Sequence, residues 1–263
     1  AGLLGRSLNG ILGKSPGMRT EQMLSVGLSL SVKKYDSADK MREFYRRVEE
    51  RVAAVPGVAA VGLSQTVPFT WGIPVTLFPL EHAGTAAADK APSSFYDSVN
   101  ADYHRAAGIP LLTGRFFSPS DDAKAQPVAI ISEATARQLF GSTDVVGKVL
   151  TNGSTLKVEV VGVVGDVWRS GLAANEVPLQ IYRPSMQRPP AFATLMIQTQ
   201  VRPDAVAKAV QQAIWDVDPD QAIGTVNTVD RLVAATITQP RLYLSLFGLF
   251  AGLALLLAAI GLY

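Results

Sequence analysis

The run LYLSLFGLFAGLALLLAAIGLY, residues 242–263, constrains this chain more than any other stretch. It holds no charged residue, and Ser245 is its only strongly polar side chain. A bilayer-spanning helix needs roughly 20 consecutive apolar residues. This run would extend about 33 Å at 1.5 Å per residue. It is apolar all round, so it lacks the polar face of a surface helix. Pro240 and Arg241 stand just before it, and Tyr243 and Tyr263 lie near its ends as interfacial anchors would. The spacing predicts the start of a transmembrane helix over 241–263, with the lipid bilayer as partner. Gly248 and Gly252 make a small-xxx-small pair suited to membrane-helix packing. A buried core helix is the alternative reading, but such helices are usually shorter.

The opening residues leave two readings. Ala1 to Leu12 is too short to span a bilayer and carries Arg6. It lacks the uninterrupted apolar stretch of a signal peptide. It reads either as the end of an earlier membrane helix or as an amphipathic terminal helix. The net charge is +2, which gives no footing for nucleic acid, and no basic run carries interleaved aromatics. There is no cysteine, so disulfides and thiolate metal sites are ruled out.

Between the ends, period-2 and period-3.6 patterns recur. MLSVGLSLSV (Met23 to Val32) alternates as a strand does. Asp36 is placed to cap the helix that follows, with Met41, Phe44, Tyr45, Val48, Val52 and Val55 as its apolar stripe. Pro56-Gly57 ends it, and VAAVGLS returns as a strand. Near the other end, ATLMIQTQV reads as a strand and Pro203 suits the first turn of a helix. Val206, Val210, Ala213, Ile214 and Val217 form that helix's stripe, and QAIGTVN returns as a strand. Both halves read strand, helix, strand, which suggests two βαβ-like repeats in one α+β sheet, as in split βαβ folds.

The middle differs. Val67 to Pro92 is rich in Pro, Ala, Gly and Thr and reads as loop. SFYDSVNADYHRAAGIPLLTGRFF reads as a strand running into a turn. PVAIIS is a buried strand, EATARQLF a short helix, and KVLTNGSTLKVEVVGVVGDV a hairpin turning at Asn152-Gly153. This part reads as an inserted β-rich subdomain.

Enzyme motifs are approached and missed. In GSTDVVGKV five residues separate Gly141 from Gly147, where a phosphate loop has four, and Val149 replaces its Ser or Thr. GLSQT around Ser64 lacks the second glycine of a nucleophile elbow, so Ser64 is expected to end a strand. His82 and His104 have no i, i+4 histidine partner for zinc, and His104 is expected at a surface or turn. GVVGDV (Gly162 to Val167) reads as a strand with close backbone packing. Asn152-Gly-Ser reads as a turn in preference to a glycosylation acceptor. Asp121 and Asp122 read as a solvated turn. No catalytic, cofactor or metal residue is assigned, and the chain is not expected to be an enzyme. Phe69, Trp71, Phe78 and Trp168, in loop or strand-end settings, are candidates for contact with a partner or substrate; core packing is the equal alternative for each.

Taken in order, PGM…LSVGLSL, FYRRVEERVAAVPGVAAVGLSQTVPF, ADYHRAAGIPLLTGRFFSPSD, VAIISEATARQLFG, VVGK, VEVVGVVGDV and the closing apolar run resemble the MacB-like periplasmic core domain of FtsX-type ABC transporter permeases. The likeness is greatest to the duplicated, acidobacterial-type permeases without their own ATPase domain. The resemblance divides the chain into the end of a preceding membrane helix and linker (1–20), a first βαβ-like repeat and loop (21–92), the inserted β-rich subdomain (93–185), a second βαβ-like repeat and connector (186–240) and the transmembrane helix (241–263). It implies a periplasmic domain on the bacterial inner membrane, driven by a separate cytoplasmic ATPase subunit. A periplasmic adaptor or a second permease copy is the further partner it suggests. It implies efflux, or alternatively an FtsX-like binding or signalling module that regulates an extracytoplasmic partner without transport.

Overall fold

A computed structural model describes residues 15–66, 72–154, 156–168 and 178–235, with 257, 260 and 261. The fold is mixed α+β, built on one large mixed sheet. In chain order the elements are β1 (Met23–Ser29), α1 (Ala38–Ala53), β2 (Val58–Ser64), β3 (Ile73–Thr76), β4 (Phe78–Pro79) and α2 (Ala86–Asp89). They continue with β5 (Ser93–Val99), α3 (Tyr103–Ala106), β6 (Leu111–Gly114), β7 (Val128–Ser132), α4 (Glu133–Phe140), β8 (Val149–Thr151) and β9 (Lys157–Val164). Last come β10 (Gln180–Pro184), β11 (Phe192–Thr199), α5 (Pro203–Trp215) and β12 (Ala222–Thr228).

The strands run in the order β12-β1-β11-β2-β5-β10-β7-β9-β8-β4, with β3 on β5 and β6 on β9. The pairs β12-β1, β1-β11 and β11-β2 are antiparallel. Alternation decides which side each residue faces. Leu24, Val26 and Leu28 of β1 and Leu195 and Ile197 of β11 join one core with Phe44, Tyr45, Val48 and Val52 of α1 and Val206, Val210 and Ile214 of α5. Met23 and Met196, at alternate positions, face a second core. A third core packs α4 on β7, β9 and β10 through Ala136, Leu139, Ile131, Val160 and Ile181.

The sheet narrows at β2-β5, where the ladder is a single pair, Ser64 opposite Val99. Side chains supply what the ladder lacks. Asp97, 1% exposed, accepts from the Ser64 hydroxyl at 2.7 Å, the Thr66 hydroxyl at 2.9 Å and the Gln65 N–H at 2.9 Å. Asn100 takes the place of a strand residue: Oδ1 accepts from the Leu63 N–H and Nδ2 donates to the Val61 carbonyl.

Local sequence explains most boundaries, with three corrections. The cap of α1 is Ser37, whose hydroxyl accepts from the Lys40 N–H, while Asp36 pairs with the Lys40 ammonium at 3.0 Å. Within the expected loop 67–92, β3, β4 and α2 form. β3 tolerates Pro74 because, among the described residues, it pairs only with β5 and no ladder forms on its other edge. Asp121 is not solvated: it is 4% exposed and takes both Arg115 amino groups, at 2.7 and 2.8 Å. As read from sequence, Ser64 ends β2, and Gly162 lies where a Cβ would stand 2.3 Å from the Arg115 carbonyl oxygen. Among the described residues no helix is long and apolar enough to cross a membrane. The expected transmembrane helix over 241–263, with Gly248 and Gly252, and the segment Ala1 to Leu12 lie outside the described residues, save that Leu257, Ile260 and Gly261 are helical.

Candidate functional site

The two connectors that lead toward the apolar ends enter the same core. On the N-terminal side, Pro16 accepts the Trp168 N–H at 3.1 Å, and the Arg19 N–H donates to the Ala107 carbonyl at 2.7 Å. Gly17, at φ +79°, lies so close to β9's trailing segment that a Cβ would fall 1.9 Å from the Asp166 oxygen. Met18 is buried, 7% exposed. On the C-terminal side, β12 passes directly into a helical stretch over 229–235. Its first residue, Val229, is fully buried, and Leu232 and Val233 pack on the same core. Arg231 adds a 3.3 Å ion pair with Asp204 of α5. Met18, Met23 and Val229 thus share one cluster with Tyr103, Ile109, Phe117, Val164, Val167 and Tyr182.

That cluster is walled by α3. Gly62 of β2 admits the helix, because a Cβ there would stand 2.9 Å from Tyr103 Cα. The helix carries His104 inward, which corrects the expected exposed position at a surface or turn: it is fully buried, and among the described residues neither ring nitrogen has a hydrogen-bond partner. The ring stacks on Phe116 at 5.7 Å and meets Tyr182 edge-on at 4.7 Å. Arg105 lies over the outer face of Phe116, 5.3 Å from its centroid. Burial alone drives the His104 pKa down to about 3, so the imidazole is neutral at physiological pH. Nothing in the spacing of YHRAAG separates an inward histidine from an outward one; only the packing of α3 on β2 does.

The aromatic candidates fall apart as a set. Phe69 and Trp71 lie outside the described residues. Phe78 is 8% exposed and sits under the Asn152-Gly153 turn, where a Gly153 Cβ would stand 3.2 Å from its ring. Trp168 is half-buried beside Pro16, at the foot of the N-terminal connector. Of the connector residues, Gly17 and Met18 carry only the PGM turn as a signal, whereas Val229 opens VDRLVAATITQPRL, whose helix-like start reads as a link over 229–241 into the apolar run.

The two connectors of this mixed α+β domain thus converge on one core. Residues 18–217 match the family described as MacB-like periplasmic core domain, about three-quarters of the chain. The chain belongs to that family. Over 89 residues it is 33% identical to the macrolide export ATP-binding/permease protein MacB 2 of Aeromonas hydrophila, covering 34% of this chain and 14% of that protein. It therefore spans about one-seventh of that relative's length. The periplasmic region of MacB from Actinobacillus actinomycetemcomitans has the same fold, with a TM-score of 0.53 and 13% identity over 86% of this chain and 96% of that one. The extracellular domain of the noncanonic ABC-type transporter YknZ from Gram-positive bacteria aligns with a TM-score of 0.48 and 17% identity, over 77% of this chain and 100% of that one.

Proposed function

We propose that this chain is the periplasmic part of an inner-membrane ABC transporter permease and acts as a mechanical relay. ATP hydrolysis by a separate cytoplasmic ATPase subunit moves the membrane helices. The domain passes that motion to exported substrate or to a partner such as a periplasmic adaptor, and performs no chemistry of its own. Family membership supports the setting. The observation that carries the relay is the double anchorage: Met18 and Val229 are buried in one core, so displacement of either connector loads the same packed cluster. Packed interiors have low compressibility and transmit strain. The strand order β12-β1-β11-β2 supports reading β1-α1-β2 and β11-α5-β12 as two interleaved βαβ-like repeats, with the β-rich part inserted between them.

The test is a flexible Gly/Ser insertion at Thr238, between the anchored helix and the apolar run, in the full-length permease. Export in cells is expected to fall to background while the domain's melting temperature stays unchanged. Full export after insertion overturns the relay.

A further inference from the structure

A groove of 550 Å³ lies between α1, the first half of β2 and the α3 turn. Its volume falls in the range of small-molecule sites. Small side chains leave it open. Ala53 at the end of α1 and Ala59 and Ala60 of β2 line it with methyl groups, and the buried Val61 completes that apolar wall.

The charged side chains along the groove are Arg46, Glu49 and Glu50 from α1 and Asp102 and Arg105 from the α3 turn; β2 brings none. Four of these five are matched. Arg46 pairs with Glu50 at 2.6 Å and, outside the groove, with Glu43 at 2.6 Å. Arg105 pairs with Asp102 at 3.0 Å and covers Phe116. Glu49 is half-buried and has no ion pair among the described residues. Two guanidinium groups against three carboxylates leave one negative charge in the lining, and the pairing places it at Glu49.

That charge is held at a cost. Burial raises the Glu49 carboxyl pKa to about 7; a hydrogen bond from Asn100 opposes the rise, and the charges of Asp102 and Glu50 add to it. A cation beside Glu49 would favour its ionised form. The carboxylates are not gathered as a metal's ligands: among the described residues no three His, Cys, Asp or Glu side chains are placed to hold a metal ion. The methyl-lined wall suits instead the carbon body of an organic cation, with its charged end at Glu49. We propose that the groove between α1, β2 and α3 is a binding site for a small organic ammonium ion, with Glu49 as its counter-ion and Ala53, Ala59 and Ala60 against its apolar part.

The test uses the 263-residue chain in neutral detergent at pH 8 and follows its melting temperature during titration with butylammonium chloride. Sodium chloride at equal ionic strength controls for charge, and butan-1-ol for the apolar body. A saturable rise is expected with butylammonium alone. Glu49→Gln keeps the side chain's size and is expected to weaken the apparent affinity about tenfold or more, because the bond to a charged acceptor is lost. Ala53→Met, at an exposed position, narrows the groove with every charge in place and is expected to weaken binding as well. The proposal is overturned by no saturable rise with butylammonium, by a rise no larger than that with sodium or butan-1-ol, or by undiminished affinity in Glu49→Gln. Should Glu49→Gln fail to fold, Ala53→Met decides alone, and unchanged affinity in it overturns the site. None of these measurements involves export, so failure of the site and failure of the relay are separate results.

Discussion

The Tyr35 hydroxyl donates to Asp218 Oδ2 at 2.6 Å, tying the loop after β1 to the loop after α5 across 183 residues of sequence. Lys34 donates to the other oxygen of the same carboxylate at 2.5 Å. The Asp218 side chain is 4% exposed, whereas that of Lys34 is 48% exposed, so the tyrosine bond is the buried half of the clasp. Burial pushes the Asp218 pKa up, but the hydrogen bonds from Lys34 and Tyr35 outweigh it and hold the carboxyl below its usual range.

Removing one side of this clasp leaves the other unmet. Tyr35→Phe is expected to cost about 1 kcal/mol, and Asp218→Ala, which strands a buried hydroxyl, about 2–3 kcal/mol. Urea unfolding at neutral pH measures both. Because the folded pKa of Asp218 is depressed, its contribution is full above the ordinary carboxylate value of 3.8 and is lost as pH falls through the lower folded value. Equal stability of Asp218→Ala and the unmodified chain at pH 7 would show that the clasp contributes nothing.

Neither Tyr35 nor Asp218 stands out in the sequence, although the helices they flank do. The stripe of α1 was legible because Phe44, Tyr45, Val48 and Val52 repeat at helical spacing and all four are buried. β2 was legible because Pro56-Gly57 stops the helix before it. The strands β3 and β4 were not, because a proline-bearing edge strand is held by its neighbours and not by its own propensity. The burial of the anchor residues was hidden for a related reason. Met18 sits outside any periodic run and Val229 only opens a helix-like stretch, and the burial of both comes from contacts with segments remote in sequence. His104 was misjudged because its surroundings are aromatic side chains from β6's trailing segment and β10.

The N-terminal anchor depends on Gly17 for two separate reasons, which a pair of substitutions divides. Gly17 and Gly84 both have positive φ, +79° and +76°. A Cβ at Gly84 meets nothing within 4 Å, while at Gly17 it collides with the Asp166 carbonyl. Gly84→Ala is therefore expected to cost only backbone strain, about 1 kcal/mol. Gly17→Ala adds overpacking and is expected to cost about 1–3 kcal/mol more. Hydrogen exchange should also show the Arg19 and Trp168 amides losing protection in Gly17→Ala alone. Similar stability losses in the two variants would mean that the close approach of Gly17 to Asp166 does not hold the connector.

Acid should loosen the anchor core through His104. The imidazole is neutral in the folded chain down to about pH 3, but in the unfolded chain it takes a proton near the ordinary value of 6.5. Above pH 6.5 the two states bind the same number of protons at this site, so it is silent. Below that the unfolded state gains a proton that the folded state cannot hold, and stability falls with pH until about pH 3. The slope is about 1.4 kcal/mol per pH unit, which makes the loss roughly 2.7 kcal/mol at pH 4.5. His104→Leu removes the titration while keeping an apolar side chain among Phe116, Phe117 and Tyr182. Urea unfolding at pH 7.5 and 4.5 should therefore show the unmodified chain losing more stability than the variant, by about that amount. The carboxylates titrate alike in both and cancel in the comparison. Parallel losses in the two chains would mean that His104 is not buried as a neutral ring, and that protonation of this core does not reach the connectors it holds.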